Sequence, residues 1–243
     1  MTAAPALDLT DAVLRPIRAH HAFEACVEQL ATAIRLGVYP TGTLLPAERE
    51  LAERLSVSRA TLREAIAALR AAGMVETRRG RGGGTVVLLK PRKPRAGAKG
   101  AFKGRRDALL DSLTFREIVE PGAAGVAAGR VLDADTRSML EECLAAVSEA
   151  VDPAVHRQCD SRLHLAIATA SGSPLTVAAV AQVQSDLHEM LQAIPVLPVN
   201  IEHSSAQHRA IVEAIFAGNP AKARRVMREH CVDTAALLRG LLD

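Results

Sequence analysis

Leu45-Pro46-Ala47-Glu48-Arg49-Glu50-Leu51-Ala52-Glu53-Arg54-Leu55, then Ser56-Val57-Ser58, then Arg59 through Gly73, is the stretch that decides the fold of the first part of this chain. Pro46 suits the first turn of a helix, where its missing N–H costs nothing. Ser58 is an N-cap for a second helix, Arg59 to Ala72, and Gly73 is its C-terminal stop. Leu62, Ala65, Ile66 and Leu69 fall at i, i+3, i+4 and i+7 and give that helix one apolar stripe. Two short helices across so tight a turn predict a helix-turn-helix. Met74 to Arg79 and Thr85 to Leu89 are β-capable runs on either side of Gly80-Arg81-Gly82-Gly83-Gly84, a hairpin that would form a wing.

The second helix carries Ser58, Arg59, Thr61 and Arg63 in its first turns, the part of a recognition helix that meets base edges. An arginine fork can bond guanine O6 and N7 together, while serine and threonine hydroxyls suit phosphates or bases. A basic solvated helix face is the bland alternative. A helix, a turn, an arginine-bearing helix and a basic glycine-rich hairpin in succession favour DNA.

These segments resemble the winged-helix domain of the GntR family of bacterial transcription regulators. The resemblance rests on Leu45 to Ala52, Val57 to Ala65, and Gly73-Met74-Val75 with Arg79-Gly80-Arg81-Gly82. It implies that Arg49, Ser58, Arg59, Thr61, Arg63 and Gly80 contact operator DNA. Ala60 stands where a hydroxylated residue is more usual.

Working outward, Thr10 to Leu36 is expected to be helical, with Phe23, Val27, Leu30 and Ile34 on its buried face and Gly37 ending it. Lys90 to Arg106 holds eight Lys or Arg, Pro91, Pro94 and three glycines without hydrophobic periodicity. It is expected to be a flexible linker that adds phosphate attraction. Residues 1–106 hold 19 Lys and Arg against 9 Asp and Glu, a net of +10, whereas 107–243 hold 11 against 18, a net of −7. One basic domain facing phosphate and one acidic domain with another task follow.

From Asp107 onward the pattern is helical, over approximately 107–130, 133–150, 153–171, 174–194, 200–217 and 219–241. Asp133, Asp152-Pro153, Ser173-Pro174 and Asn219-Pro220 supply the starts, and Gly172 and Gly218 the ends. Pro121 is expected to kink the first of these helices. The expected architecture is mainly α: a winged helix-turn-helix domain over 10–89, a linker over 90–106 and an antiparallel all-α bundle of about six helices over 107–243. Aromatic residues make up only 2% of the chain, so the cores are built from Ala, Leu, Val and Ile. No apolar run reaches a membrane span and no signal pattern opens the chain, so a cytoplasmic protein with no membrane partner is expected. Cys26, Cys143, Cys159 and Cys231 lack C-x-x-C spacing and read as buried thiols.

Asp160 and His164 lie four apart on one helix, and His208 and His230 fall on two later ones. One carboxylate and three imidazoles projecting inward could hold a divalent transition metal; hydrogen-bonded core histidines are the equally open alternative. Asp160 to Ser173, His208 to Ile215 and Met227 to His230 resemble three successive segments of the FCD effector domain of FadR-type GntR regulators. Leu163 and Ser173 replace the usual Phe and Asn. That resemblance implies Asp160, His164, His208 and His230 as metal ligands, with zinc first and nickel or manganese as substitutes; the other histidines are read as non-ligands, with His203 the first substitute should one of the four fail. Phe115-Arg116-Glu117-Ile118-Val119-Glu120 resembles the same domain's effector helix, which directs Arg116 to a small carboxylate. An internal ion pair of Arg116 with Asp or Glu is the alternative.

The implied function is a homodimeric transcription regulator, a repressor on a palindromic operator, whose DNA affinity responds to a small organic acid bound beside the metal. A metalloregulator sensing the ion itself and a metal-dependent enzyme are the competing readings. No general base stands near the ligands in sequence, which weighs against the enzyme.

Overall fold

The computed structural model describes residues 22–78, 80, 83–88, 104–192 and 198–242, with side chains left out at 192–200 and 240–242. Three helices and a hairpin come first: α1 (Ala22–Arg35), α2 (Glu48–Leu55), α3 (Arg59–Ala71), β1 (Val75–Arg78) and β2 (Gly84–Val87). Six helices follow: α4 (Arg106–Ala128), α5 (Ala134–Glu149), α6 (Pro153–Ala170), α7 (Pro174–Gln192), α8 (Pro198–Phe216) and α9 (Pro220–Leu242). The expected kind and order of elements is observed. Residues 10–21 and 90–103, where the start of the first helix and most of the linker were expected, lie outside the described residues.

Ser58 caps α3 as expected: its hydroxyl accepts the Thr61 N–H at 3.0 Å. Gly73 then turns the chain with φ +70°, a conformation that suits glycine after a helix. One expectation fails. Pro46 does not enter the first turn of α2, because the helix begins at Glu48 after Ala47. The chain there is still extended: Leu45 N–H donates to Thr85 O at 2.8 Å, and Leu44 bridges Val86 beside the β1–β2 hairpin. A short third strand piece against the wing therefore delays the helix.

Leu30 and Ile34 of α1, Leu51 of α2, Leu62, Ile66 and Leu69 of α3, and Val75 and Val87 of the hairpin form one buried cluster. Packing of α1 on α3 fixes the angle at which α3 is presented. A second core runs through the later helices, from Ala124 and Ala127 of α4 to Leu163 and Ile167 of α6, Ile211 of α8 and Met227 of α9. Within it α4 is central and touches α6, α7, α8 and α9. Alanines at its contact face allow that density, and the helix continues through Pro121. Asp133 and Asp152 cap α5 and α6 through Thr136 N–H and Ala154 N–H. All four cysteines are free and buried.

Candidate metal centre and DNA-binding face

In the later bundle, α6 brings Asp160 and His164 to one side of the core, α8 brings His208 and α9 brings His230. One ligand-capable atom from each of the four lies within 4.8 Å of the others. The three imidazole centroids are 4.7 to 5.5 Å apart. Asp160 Oδ1 stands 3.3 Å from His208 Nε2. His164, His208 and His230 are almost wholly buried, and none of their Nε2 atoms has a hydrogen-bond partner.

Neutral imidazole is the ligand form of histidine. Burial lowers His208 to about 4, opposed by Asp160 and helped by the neighbouring His164, His156 and Arg116. Burial also pushes His230 well below the usual range, with His208 next. Burial alone would raise the Asp160 carboxyl, but His208, His164 and Arg116 outweigh it and keep it ionised. His230 Nδ1 faces Gln207 Oε1 at 3.1 Å, which favours a proton on Nδ1 and leaves Nε2 as the donor pair. His164 Nδ1 lies 2.8 Å from Glu120 Oε2. The donor set therefore fits a divalent transition metal: three buried imidazoles whose Nε2 atoms lack a hydrogen-bond partner, and one carboxylate.

Glu120 was not singled out from the sequence as part of this site. Its Oε2 accepts from Arg116 Nε at 3.0 Å and from the Cys231 thiol at 3.5 Å, and its Oε1 accepts from Gln184 Nε2 at 2.6 Å. Burial opposes its ionisation, yet Arg116, His164 and Gln184 together hold it well below the usual carboxylate range. The spacing Arg116–Glu120 is the i, i+4 signal that could have found it. Gln184 and Gln207 had no comparable signal, since both act across helices. Cys231 is not only packing: burial raises its thiol pKa, so it stays protonated and donates to Glu120.

Arg116 is 1% exposed and ion-paired within its own helix, as the alternative reading held. That pair uses only Nε. Both terminal nitrogens, Nη1 and Nη2, are buried without a hydrogen-bond partner. His203, the first substitute, is exposed and bonded to Asp233 at 3.0 Å, away from the cluster.

The first domain contrasts with this. Ser58, Arg59 and Arg63 of α3 and Gly80 of the wing are all exposed. Arg49 lies 3.3 Å from Glu53 within α2, and Arg63 Nε donates to Glu48 across the two helices at 2.9 Å. Thr61 shares a hydroxyl contact of 2.8 Å with Ser58 and is half-buried, so its side chain serves the cap. Arg59 makes no ion pair among the described residues.

Comparison with known proteins agrees with this layout. Residues 23–87 match the description "Bacterial regulatory proteins, gntR family", and residues 111–233 match the FCD domain. RmpR of Mycobacterium gastri, named as an HTH-type transcriptional regulator, is 32% identical over 219 residues, 85% of this chain and 76% of that relative. The Glc operon transcriptional activator of Escherichia coli K12 is 31% identical over 220 residues, 85% of each chain. The solved E. coli McbR/YncC structure superposes with a TM-score of 0.54 at 16% identity, over 92% of this chain and all of the other, a likeness of fold.

Proposed function

This chain belongs to the gntR family of bacterial regulatory proteins, in the group that carries an FCD domain, and is a DNA-binding transcription regulator rather than an enzyme; from that premise we propose that a small organic acid controls it through a metal held in the FCD domain. Asp160, His164, His208 and His230 hold the ion, zinc first and nickel or manganese as substitutes. When bound, it supplies a positive centre that a carboxylate can join. The observation that carries the reading is Arg116. A buried guanidinium with Nε paired and both terminal nitrogens unsatisfied, close enough to Asp160 to influence its ionisation, calls for an anion between arginine and ion.

Arg59 and Arg63 read bases in the major groove, and Arg49, Ser58, Thr61 and Gly80 contact the adjoining backbone. The regulator works in the cytoplasm as a homodimer on a palindromic operator. Exposed Phe115, Ile118 and Val126 form one stripe along α4 that a second copy would cover. Effector binding releases the operator, so the output is repression until the acid arrives.

The test is metal content followed by thermal shift. Purified protein should carry close to one metal per chain, and His208→Ala should lose it. Among hydroxy, keto and sugar acids, at least one should raise the melting temperature of metal-loaded protein and none that of Arg116→Ala. Full metal retention by His208→Ala removes His208 from the site; no stabilising acid removes the effector. If zinc alone changes operator affinity and no acid adds to it, the chain is a metalloregulator.

A further inference from the structure

The metal-site helix α6 also makes a direct contact with the DNA-reading domain. Gln158, two residues before Asp160, is 8% exposed and donates through Nε2 to Arg35 O at 3.0 Å, with Ile34 O at 3.5 Å. Both carbonyls lie at the end of α1, where a helix leaves its last backbone acceptors without intrahelical partners; Ile34 O also accepts the Gly37 N–H at 3.1 Å. The chain then turns at Gly37, with φ +71°, and passes so close that a Cβ there would lie 3.0 Å from Gln158 Cβ. Side-chain donor and backbone turn thus fit each other. Beside this contact α1 is separated from the later helices by a cleft of about 730 Å³, lined by Glu28, Thr32 and Leu36 on one side and Met139, Arg162 and Leu165 on the other. Gln158 is therefore a tie made by a directed hydrogen bond at the edge of that cleft, where Leu36 is buried and Gly37 also approaches Arg162.

We infer that Gln158 is the positioning residue through which occupancy of the Asp160–His164 site sets the placement of the DNA-reading helix; this rests on the metal site proposed above. Asp160 and Gln158 belong to one α-helix, so a shift or rotation that settles Asp160 on an ion moves Gln158 with it. A hydrogen bond of 3.0 Å is lost within roughly half an ångström of stretch, because such bonds weaken beyond about 3.5 Å. At the far end α1 packs on α3 through Leu30, Ile34, Leu62, Ile66 and Leu69, which carries a change at Arg35 to Arg59. The tie is a switch with two states, made and broken, of the kind that packed interfaces amplify.

The experiment uses the full chain, stripped with a chelator and then loaded with zinc ion. Backbone amide exchange over residues 34–39 is followed in wild type, Gln158→Ala and Gln158→Glu, with bound zinc measured in each. Glutamate keeps the length and removes the donor, so it answers for the alanine variant should that one fold poorly. Zinc should change wild-type exchange in this segment by roughly 2- to 30-fold, the range that coupling residues command. Both variants should bind zinc and show little of that change, whereas a merely structural role would shift exchange equally with and without zinc. The same zinc response in wild type and variants overturns the inference, as does a zinc-bound wild type whose segment does not respond. Failure of wild type to bind zinc at all overturns the metal reading and the tie together.

Discussion

The two charged regions of this regulator use arginine in opposite ways. On α2 and α3, Arg49 and Arg63 stand in water with partners at 3.3 and 2.9 Å, and Arg59 has none among the described residues. On α4, Arg116 is buried and tied to a buried glutamate. Exposed ion pairs contribute about 0–1 kcal/mol, while removing one partner of a buried pair costs about 3–5 kcal/mol. The front arginines are therefore free to exchange a protein partner for a phosphate or base with little effect on folding. The rear arginine is held at Nε by a buried partner, and only its two terminal nitrogens are without one. Sequence composition does not distinguish these cases, because burial sets them apart.

The largest effect expected from this contrast is at Glu120. Glu120→Ala leaves the Arg116 guanidinium, the Gln184 amide and the Cys231 thiol without their shared acceptor, and should cost about 3–5 kcal/mol in urea unfolding. A loss below 1 kcal/mol would place the rear pair in the same class as the front ones. Arg59→Ala should do the reverse. Operator affinity should fall by about 1–3 kcal/mol, read by fluorescence anisotropy, with folding stability within about 0.5 kcal/mol of wild type.

Acidification should separate the regions next. Burial holds both His208 and His188 at about 4, against a usual 6.5; for His188, Arg157 and Arg35 add to it and Glu189 opposes. Between about pH 6.5 and 4 the unfolded chain binds protons that the folded chain refuses. Stability of the metal-free protein is then complete above about 6.5 and declines as pH falls toward 4. The urea midpoint should drop between pH 7 and pH 5, and a His188→Asn, His208→Asn double variant should flatten that drop. The smallest effect belongs to Glu48→Ala. Releasing Arg63 should change stability by no more than about 1 kcal/mol, and a double-mutant cycle with Arg63→Ala measures the pair directly.

Local rules were legible in the sequence because they act within a few residues. The Ser58 cap, the apolar stripe of Leu62, Ala65, Ile66 and Leu69, and the Asp133 and Asp152 helix starts all involve neighbours on one element. Pro46 misled because strand pairing of Leu44 and Leu45 with the wing, a contact some forty residues away, outweighed its preference for a helix start. The four residues of the proposed metal site could be named from helical spacing and family resemblance, and the fold brings them together. Their supports could not be named in the same way. Gln184 on Glu120 and Gln207 on His230 are contacts between helices, and a polar residue on a helix does not announce which neighbour it will meet. Arg116 lay between two readings, carboxylate ligand or internal pair. The fold gives it the pair at Nε while leaving two nitrogens for a ligand.

The central claim is that the rear site governs the front one through an acid bound at Arg116. The most direct test is operator affinity of the metal-loaded full-length protein on DNA from its own promoter region, titrated with the panel of organic acids, for wild type and Arg116→Ala. At least one acid should change the wild-type affinity about fivefold or more, the lower end of ordinary coupling between sites, and leave Arg116→Ala unmoved. A panel without effect on wild type, or an equal response from Arg116→Ala, would contradict the account.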